Sequence, residues 1–168
     1  IIAAAMEEFR DKGYDGSSMD RIAEIAGASK RTVYNHFPSK DELFRAVIDR
    51  FGDQLRSLKL IRYDSTRGVE EQLSEFADAE VAVVEDPAWM GFIKVLLAVF
   101  MRDPALARES VSRHMAGEDP MTAWMREAAQ DGRLAIDDPA LAARIFSAML
   151  SGAFTWPAVY QGYLDTEA

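Results

Sequence analysis

Residues 17–44 read SSMDRIAEIAGASKRTVYNHFPSKDELF, and this stretch decides the fold. Met19, Ile22, Ala23 and Ala26 recur at helical spacing, so a short amphipathic helix starts after Ser17 or Ser18, either of which can cap it. Asp20 stands three residues after Ser17, where a capping box would carry Glu. Gly27 follows, suited to the left-handed backbone that ends a helix. Ser29 can cap a second short helix, in which Lys30, Arg31, Thr32, Tyr34, Asn35 and His36 crowd around Val33. Pro38 disfavours helix at the residue before it, and Ser39-Lys40-Asp41-Glu42 is an S-x-x-E capping box that launches a longer helix. Two short helices about a glycine turn, the second densely polar, form the pattern of a helix-turn-helix whose second helix is shaped for a DNA major groove.

That second helix must show one face to the protein and another to its ligand. Val33 and Phe37, spaced i, i+4, anchor it inward, which leaves Lys30, Arg31, Thr32 and Asn35 on outer or leading positions. Lys and Arg can donate to guanine edges, Asn can pair with adenine bidentately, and Thr can touch a thymine methyl. Tyr34 and His36 can reach phosphate oxygens with their polar tips; Tyr34 could instead pack its ring inward, and His36 could cap the helix end. Ser18 can meet phosphate through its hydroxyl and the nearby N–H groups, and Lys40 can set a charge against the same backbone.

Outward from this window the chain reads as helix throughout, with no alternating strand pattern. A first helix runs to about Asp11, with Ala4, Ala5, Phe9 and Ile1 inward, and Gly13-Tyr14-Asp15-Gly16 breaks it. The helix after the capping box runs to about residue 60 on the stripe Leu43, Phe44, Val47, Ile48, Phe51 and Leu55. A polar stretch from Arg62 to Gly68 reads as a linker. Five further helices are predicted at about 69–84, 87–102, 104–116, 119–131 and 138–161. Several start at an Asp-Pro pair (Asp86-Pro87, Asp103-Pro104, Asp119-Pro120, Asp138-Pro139), where carboxylate and proline both suit a first turn. The division is an N-terminal three-helix head at 1–45, a connecting helix at 40–60, and a larger helical domain within 46–168.

Charge is unevenly spread. Of the net −9, residues 1–60 contribute nothing, with ten basic and ten acidic residues; residues 61–168 carry all of it, with nine basic and eighteen acidic. Phosphate would repel that acidic body and orient the neutral head, with its basic stripe, toward DNA. The absence of cysteine excludes disulfides and thiolate chemistry and fits a reducing cytoplasm. The longest uncharged run, 145–164, is interrupted by Ser, Gly, Thr, Gln and Pro and suits a helix buried between protein surfaces, not a membrane span.

Residues 3–44 resemble the DNA-binding domain of the TetR family of bacterial transcriptional regulators, and MDRIAEIAGASKRTVYNHFPSKDELF follows that family's pattern nearly throughout. The resemblance implies an all-α subunit of about nine helices, a homodimer, and a C-terminal domain that holds a small effector. It places DNA contacts on Lys30, Arg31, Thr32, Tyr34, Asn35 and His36, with Ser18 and Lys40 on phosphate. The basic arm that many members carry before the first helix is absent from this sequence. Met115 to Leu134 and the closing IFSAMLSGAFTWPAVYQG resemble one C-terminal type of the family. The implied function is a repressor that a small apolar molecule releases from a palindromic operator, with the helix at 40–60 as the pendulum. A coupling of about 1–3 kcal/mol suffices for such a switch.

In the larger domain the stripe Trp89, Met90, Phe92, Ile93, Leu96, Leu97, Phe100 and Met101 is too apolar for a solvent-facing helix. Core packing accounts for much of it, and pocket lining by Trp89, Phe92, Ile93, Leu96, Phe100, His114 and Trp124 is the sharper alternative. Trp124, Phe146, Met149, Leu150, Phe154 and Trp156 cluster in the last two helices, where only Arg144 is charged between 139 and 164. Such helices need cover nearly all round, which suggests a four-helix interface between two copies. No catalytic residue, metal ligand or cofactor site is expected: there is no Cys, the two His fall in different domains, and no HExxH spacing occurs. A helical adaptor that kept the turn without reading DNA is the remaining alternative.

Overall fold

The computed structural model describes the backbone of residues 1–58, 60–114 and 118–164, and their side chains apart from positions 58, 114 and 161–164. All regular structure among them is helical: α1 (Ile2–Gly16), α2 (Met19–Ile25), α3 (Lys30–His36), α4 (Lys40–Leu58), α5 (Val69–Glu85), α6 (Pro87–Arg102), α7 (Pro104–His114), α8 (Pro120–Gln130), α9 (Pro139–Leu150) and α10 (Trp156–Leu164). A π-helical turn at Ser151–Thr155 joins α9 to α10 without leaving helical backbone at Leu150, Ser151 or Trp156, so the last pieces form one rod, and the described helices then number nine. The expected end of the seventh helix near 116 lies outside the described residues.

Helix boundaries follow local chemistry. Ahead of the Asp-Pro starts, the aspartate carboxylate accepts backbone N–H groups of the first turn: Asp86 from Ala88 at 2.8 Å, Asp103 from Leu106 at 3.0 Å, Asp119 from Thr122 at 3.0 Å and Asp138 from Leu141 at 2.9 Å. Each is an N-cap bond, more specific than the dipole match read from sequence. α1 loses helical geometry at Gly13, whose φ of 68° is costly for any residue with a Cβ, and resumes for one turn to Gly16.

The contacts cluster the chain into two compact units. One contains Ile1–Gln54 with Gly91–His114, the other Leu55–Met90 with Met115–Ala168. The segment 91–114, expected in the larger domain, therefore packs with the N-terminal helices. Phe92 is fully buried there, its ring 4.9 Å from Phe51 and 6.1 Å from Phe44. Phe44 meets Phe9 edge-on at 5.1 Å and Tyr14 at 4.8 Å. Ala5, Phe9, Ile22, Val33, Leu43 and Val47 complete this core, on the faces their spacing predicted.

The second unit is built on Phe76, Met121, Trp124, Met125, Ala128 and Ala143, with Tyr63, Leu73, Phe146 and Leu150 against them. Trp124 is 1% exposed, edge-on to Tyr63 and Phe76, and its Nε1–H donates to Gln72 Oε1 at 3.3 Å. Gln72, fully buried, returns its amide to Asp64: its Oε1 accepts the Asp64 N–H at 2.8 Å and its Nε2 donates to the Asp64 carbonyl at 2.9 Å. The stretch 62–68, read as a linker, is thus a tied loop. Tyr63 donates to Asp131 at 2.6 Å, and Arg133 donates to the carbonyls of Ser65 and Arg67 at 2.8 and 3.2 Å. Its backbone is tied by side chains although Arg62, Ser65, Thr66 and Gly68 stay exposed. In the same unit the buried Glu80 carboxylate accepts hydroxyls from Ser151, at 3.2 Å, and Thr155, which pins both ends of the π-turn to α5.

Candidate nucleic-acid interface

The geometry of α2, the turn and α3 follows from three local devices. Ser18 is the N-cap of α2, its Oγ accepting the Arg21 N–H at 3.1 Å; Ser17 is buried and donates to the Tyr14 carbonyl at 2.6 Å. This settles which serine caps, and it removes the Ser17–Asp20 capping box. Gly27 sits at φ 61° in the turn, and the Ala28 N–H reaches back to the Ala23 carbonyl at 3.0 Å. Ser29 caps α3 by accepting the Thr32 N–H at 3.0 Å. Val33, fully buried, anchors α3 inward with half-buried Phe37 behind it.

Lys30, Arg31, Thr32, Tyr34, Asn35 and His36 all lie exposed on α3, as does Ser18 at the start of α2. Tyr34 is 46% exposed. Besides the Ser18 cap, two of the α3 residues already have side-chain partners. Lys30 Nζ donates to Asp20 on α2 at 2.5 Å, and that carboxylate raises the lysine's pKa above its ordinary value. The Thr32 hydroxyl shares a hydrogen bond with Ser29 at 2.8 Å.

Lys40 has a different employment from the one expected. Its ammonium donates to the carbonyls of Tyr14, at 2.7 Å, Ser17, at 3.1 Å, and Asp15, at 3.4 Å, and lies 4.6 Å from the Tyr14 ring centre. An ammonium has three N–H donors, so a phosphate could bind Lys40 only by taking one from these carbonyls. Beside it the Tyr14 hydroxyl donates to Asp41, and burial, with that carboxylate, pushes the phenol above its usual range. Lys40, Tyr14 and Asp41 thus fasten the end of α1 to the start of α4. Lys40→Met keeps the stem and removes the charge. It is expected to lower the stability of the DNA-free protein by about 1–3 kcal/mol, as lost charge-assisted bonds to backbone do. Urea unfolding checks this, and an unchanged midpoint would leave Lys40 without a structural role.

The residues expected to line a pocket divide between the two units, Phe92, Ile93, Leu96 and Phe100 falling in one and Trp89 and Trp124 in the other. Phe92 belongs to the core of the N-terminal unit and Trp124 to that of the other. Ile93, Leu96 and Phe100 are partly buried on α6, Trp89 lies at its start, and the His114 side chain is outside the described residues. The expected interface set also divides. Trp124 is consumed by its own core and offers a partner no surface; Phe146 and Leu150 face the same core. Phe154 is half-buried, while Met149 and Trp156 are exposed. They join Leu141, Ile145 and Tyr160 in an apolar row along the last rod, with Met149 64% and Ile145 53% exposed. The i, i+4 spacing of 141, 145 and 149 was the available signal for these.

Comparison with known proteins agrees with this geometry. The family model for bacterial regulatory proteins of the tetR family matches residues 1–47, and that for the AefR-like transcriptional repressor C-terminal domain matches residues 71–167. The transcriptional regulator UidR of Escherichia coli K12 is 30% identical over 142 residues, 82% of this chain and 68% of UidR. The transcriptional activator FasR of Mycolicibacterium smegmatis is 49% identical over 57 residues, which are 34% of this chain and only 26% of FasR. Among solved structures, a TetR family regulator from Pseudomonas syringae pv. tomato superposes with a TM-score of 0.73 at 35% identity, over 94% of this chain and 79% of that one. Salmonella enterica GusR gives 0.72 at 27% identity, over 90% and 78%. The molecule is a helix-turn-helix transcriptional regulator. It belongs to the TetR family, which is not enzymatic, and its C-terminal domain is of the AefR-like type. Among the described residues no helix is long and apolar enough to cross a membrane.

Proposed function

We propose that the protein is a cytoplasmic, homodimeric repressor that binds a palindromic operator and is released from it by a small molecule. The observation that carries the reading is the outer face of α3. Arg31, Tyr34, Asn35 and His36 project from a helix whose inward anchor and N-cap are otherwise satisfied. Arg31 and Asn35 are the base readers, while Ser18, Tyr34 and His36 contact phosphate. Lys30 joins the readers when DNA draws it from Asp20. Two copies of α3, one from each protomer, would enter successive major grooves, and the exposed row on α9 and α10 is the surface that pairs the protomers. Repression is supported by the repressor type of the matched C-terminal model, although FasR is an activator. A small-molecule effector is supported by the flavonoid-responsive regulator FrrA, 31% identical with a TM-score of 0.68.

Selection of bound DNA from a random pool should return two half-sites in inverted repeat. Against the selected site, Arg31→Ala and Asn35→Ala are each expected to weaken binding by about 1–3 kcal/mol and relax specificity at one base position. Ser18→Ala should weaken all sequences alike. Fluorescence anisotropy at two salt concentrations separates these behaviours. Unchanged affinity in both base-reader variants would remove α3 from the interface.

A further inference from the structure

α6 reads PAWMGFIKVLLAVFMR, and Lys94 is its one charge before the terminal Arg102. An ammonium is costly in the middle of so apolar a helix and needs a reason. Lys94 is half-buried, and among the described residues neither it nor exposed Lys12 has a carboxylate partner. Both side chains line one cleft of about 510 Å3, together with Arg102 and Asp15. Its remaining wall includes Val95 and Ala98 of α6. All of these residues belong to the N-terminal unit. Three cations therefore face a single carboxylate, and that one is already held by Arg102. In a chain of net charge −9, such a concentration of positive charge against an apolar wall runs opposite to the whole.

We propose that this cleft binds a small organic anion, with a carboxylate or phosphate head seated among Lys12, Lys94 and Arg102 and a short apolar part against Val95 and Ala98. The anion competes with Asp15 for Arg102. Asp15 lies three residues before Ser18, the N-cap of α2, and its carbonyl is one of the three that hold Lys40. Occupancy thus acts directly on the turn that sets the helix-turn-helix, independently of any effector pocket elsewhere in the chain.

The test is calorimetric titration of the DNA-free full chain with octanoate, with octyl phosphate and with octanol. Saturable binding of at least one anion, with octanol at least about tenfold weaker, is expected, and the tighter anion names the head group. The double variant Lys12→Met, Lys94→Met should lose at least about tenfold in anion affinity while keeping its unfolding midpoint; Lys94→Arg should retain binding, and Asp15→Asn, which frees Arg102, should strengthen it. Equal affinity for octanol, no saturable heat with either anion, or anion binding unchanged in the double variant would each overturn the proposal. Because DNA is absent from the titration, these outcomes are separate from those that test the operator reading.

Discussion

Trp124→Ala is expected to destabilise the protein by about 3–5 kcal/mol, the range for removing a fully buried large aromatic. The indole is enclosed by Tyr63, Phe76 and Gln72, so its loss opens a cavity and also deprives Gln72 of a donor. The same glutamine holds Asp64, so the damage should spread to the loop at 62–68. Trp124→Phe keeps most of the apolar volume and should cost less, with the loss of one of the two hydrogen bonds to Gln72 Oε1, which keeps the Asp64 N–H, adding about 0.5–1.5 kcal/mol to the packing change. Urea unfolding followed by circular dichroism measures both variants. A loss below about 1 kcal/mol for the alanine variant would contradict the burial, because surface substitutions seldom exceed that. Tryptophan fluorescence gives a second reading, since Trp124 is the most enclosed of the three tryptophans.

Met149→Glu combined with Ile145→Glu should split the proposed homodimer. Both side chains are exposed in the protomer, so the new carboxylates do not burden its fold. At a paired surface they would face each other and an apolar partner, and desolvation together with like-charge repulsion costs several kcal/mol. A rise of at least about 100-fold in dissociation constant, near 2.7 kcal/mol, is the expected result. Sedimentation at micromolar concentration should find monomers with an unchanged unfolding midpoint. Their operator affinity should fall as well, because one head then binds without the second. Dimers that persist at the same concentration would place the interface on another surface.

The head was legible because its signals are local. Ser29, Gly27 and Pro38 each act within a few residues of themselves, so sequence order and spatial order coincide. The Asp-Pro starts were legible for the same reason, and the helices they begin lie within a few residues of their expected bounds. What sequence could not show was the far partner. Nothing near Lys40 says that carbonyls 23 to 26 positions away will take its protons, or that Asp20, ten positions back, will take those of Lys30. The loop at 62–68 failed for a related reason. Polar residues and glycine suggest a loose linker, whereas here Gln72 of α5, with Asp131 and Arg133 just beyond α8, binds it. Periodicity gives Trp124 and Phe92 an inward face without saying whether core or ligand fills the inside.

The fastening of Lys40 to the end of α1 has a practical reach. The groups that stiffen the head (Tyr14, Ser17, Lys40 and Asp41) are different residues from the four that project from α3. A new outer set could be grafted onto positions 31, 34, 35 and 36 while Val33 and Ser29 stay in place, and the scaffold would not register the exchange. Divergence of such regulators toward new binding sites, and laboratory retargeting of this one, therefore start from a surface that can be rewritten at little cost to folding.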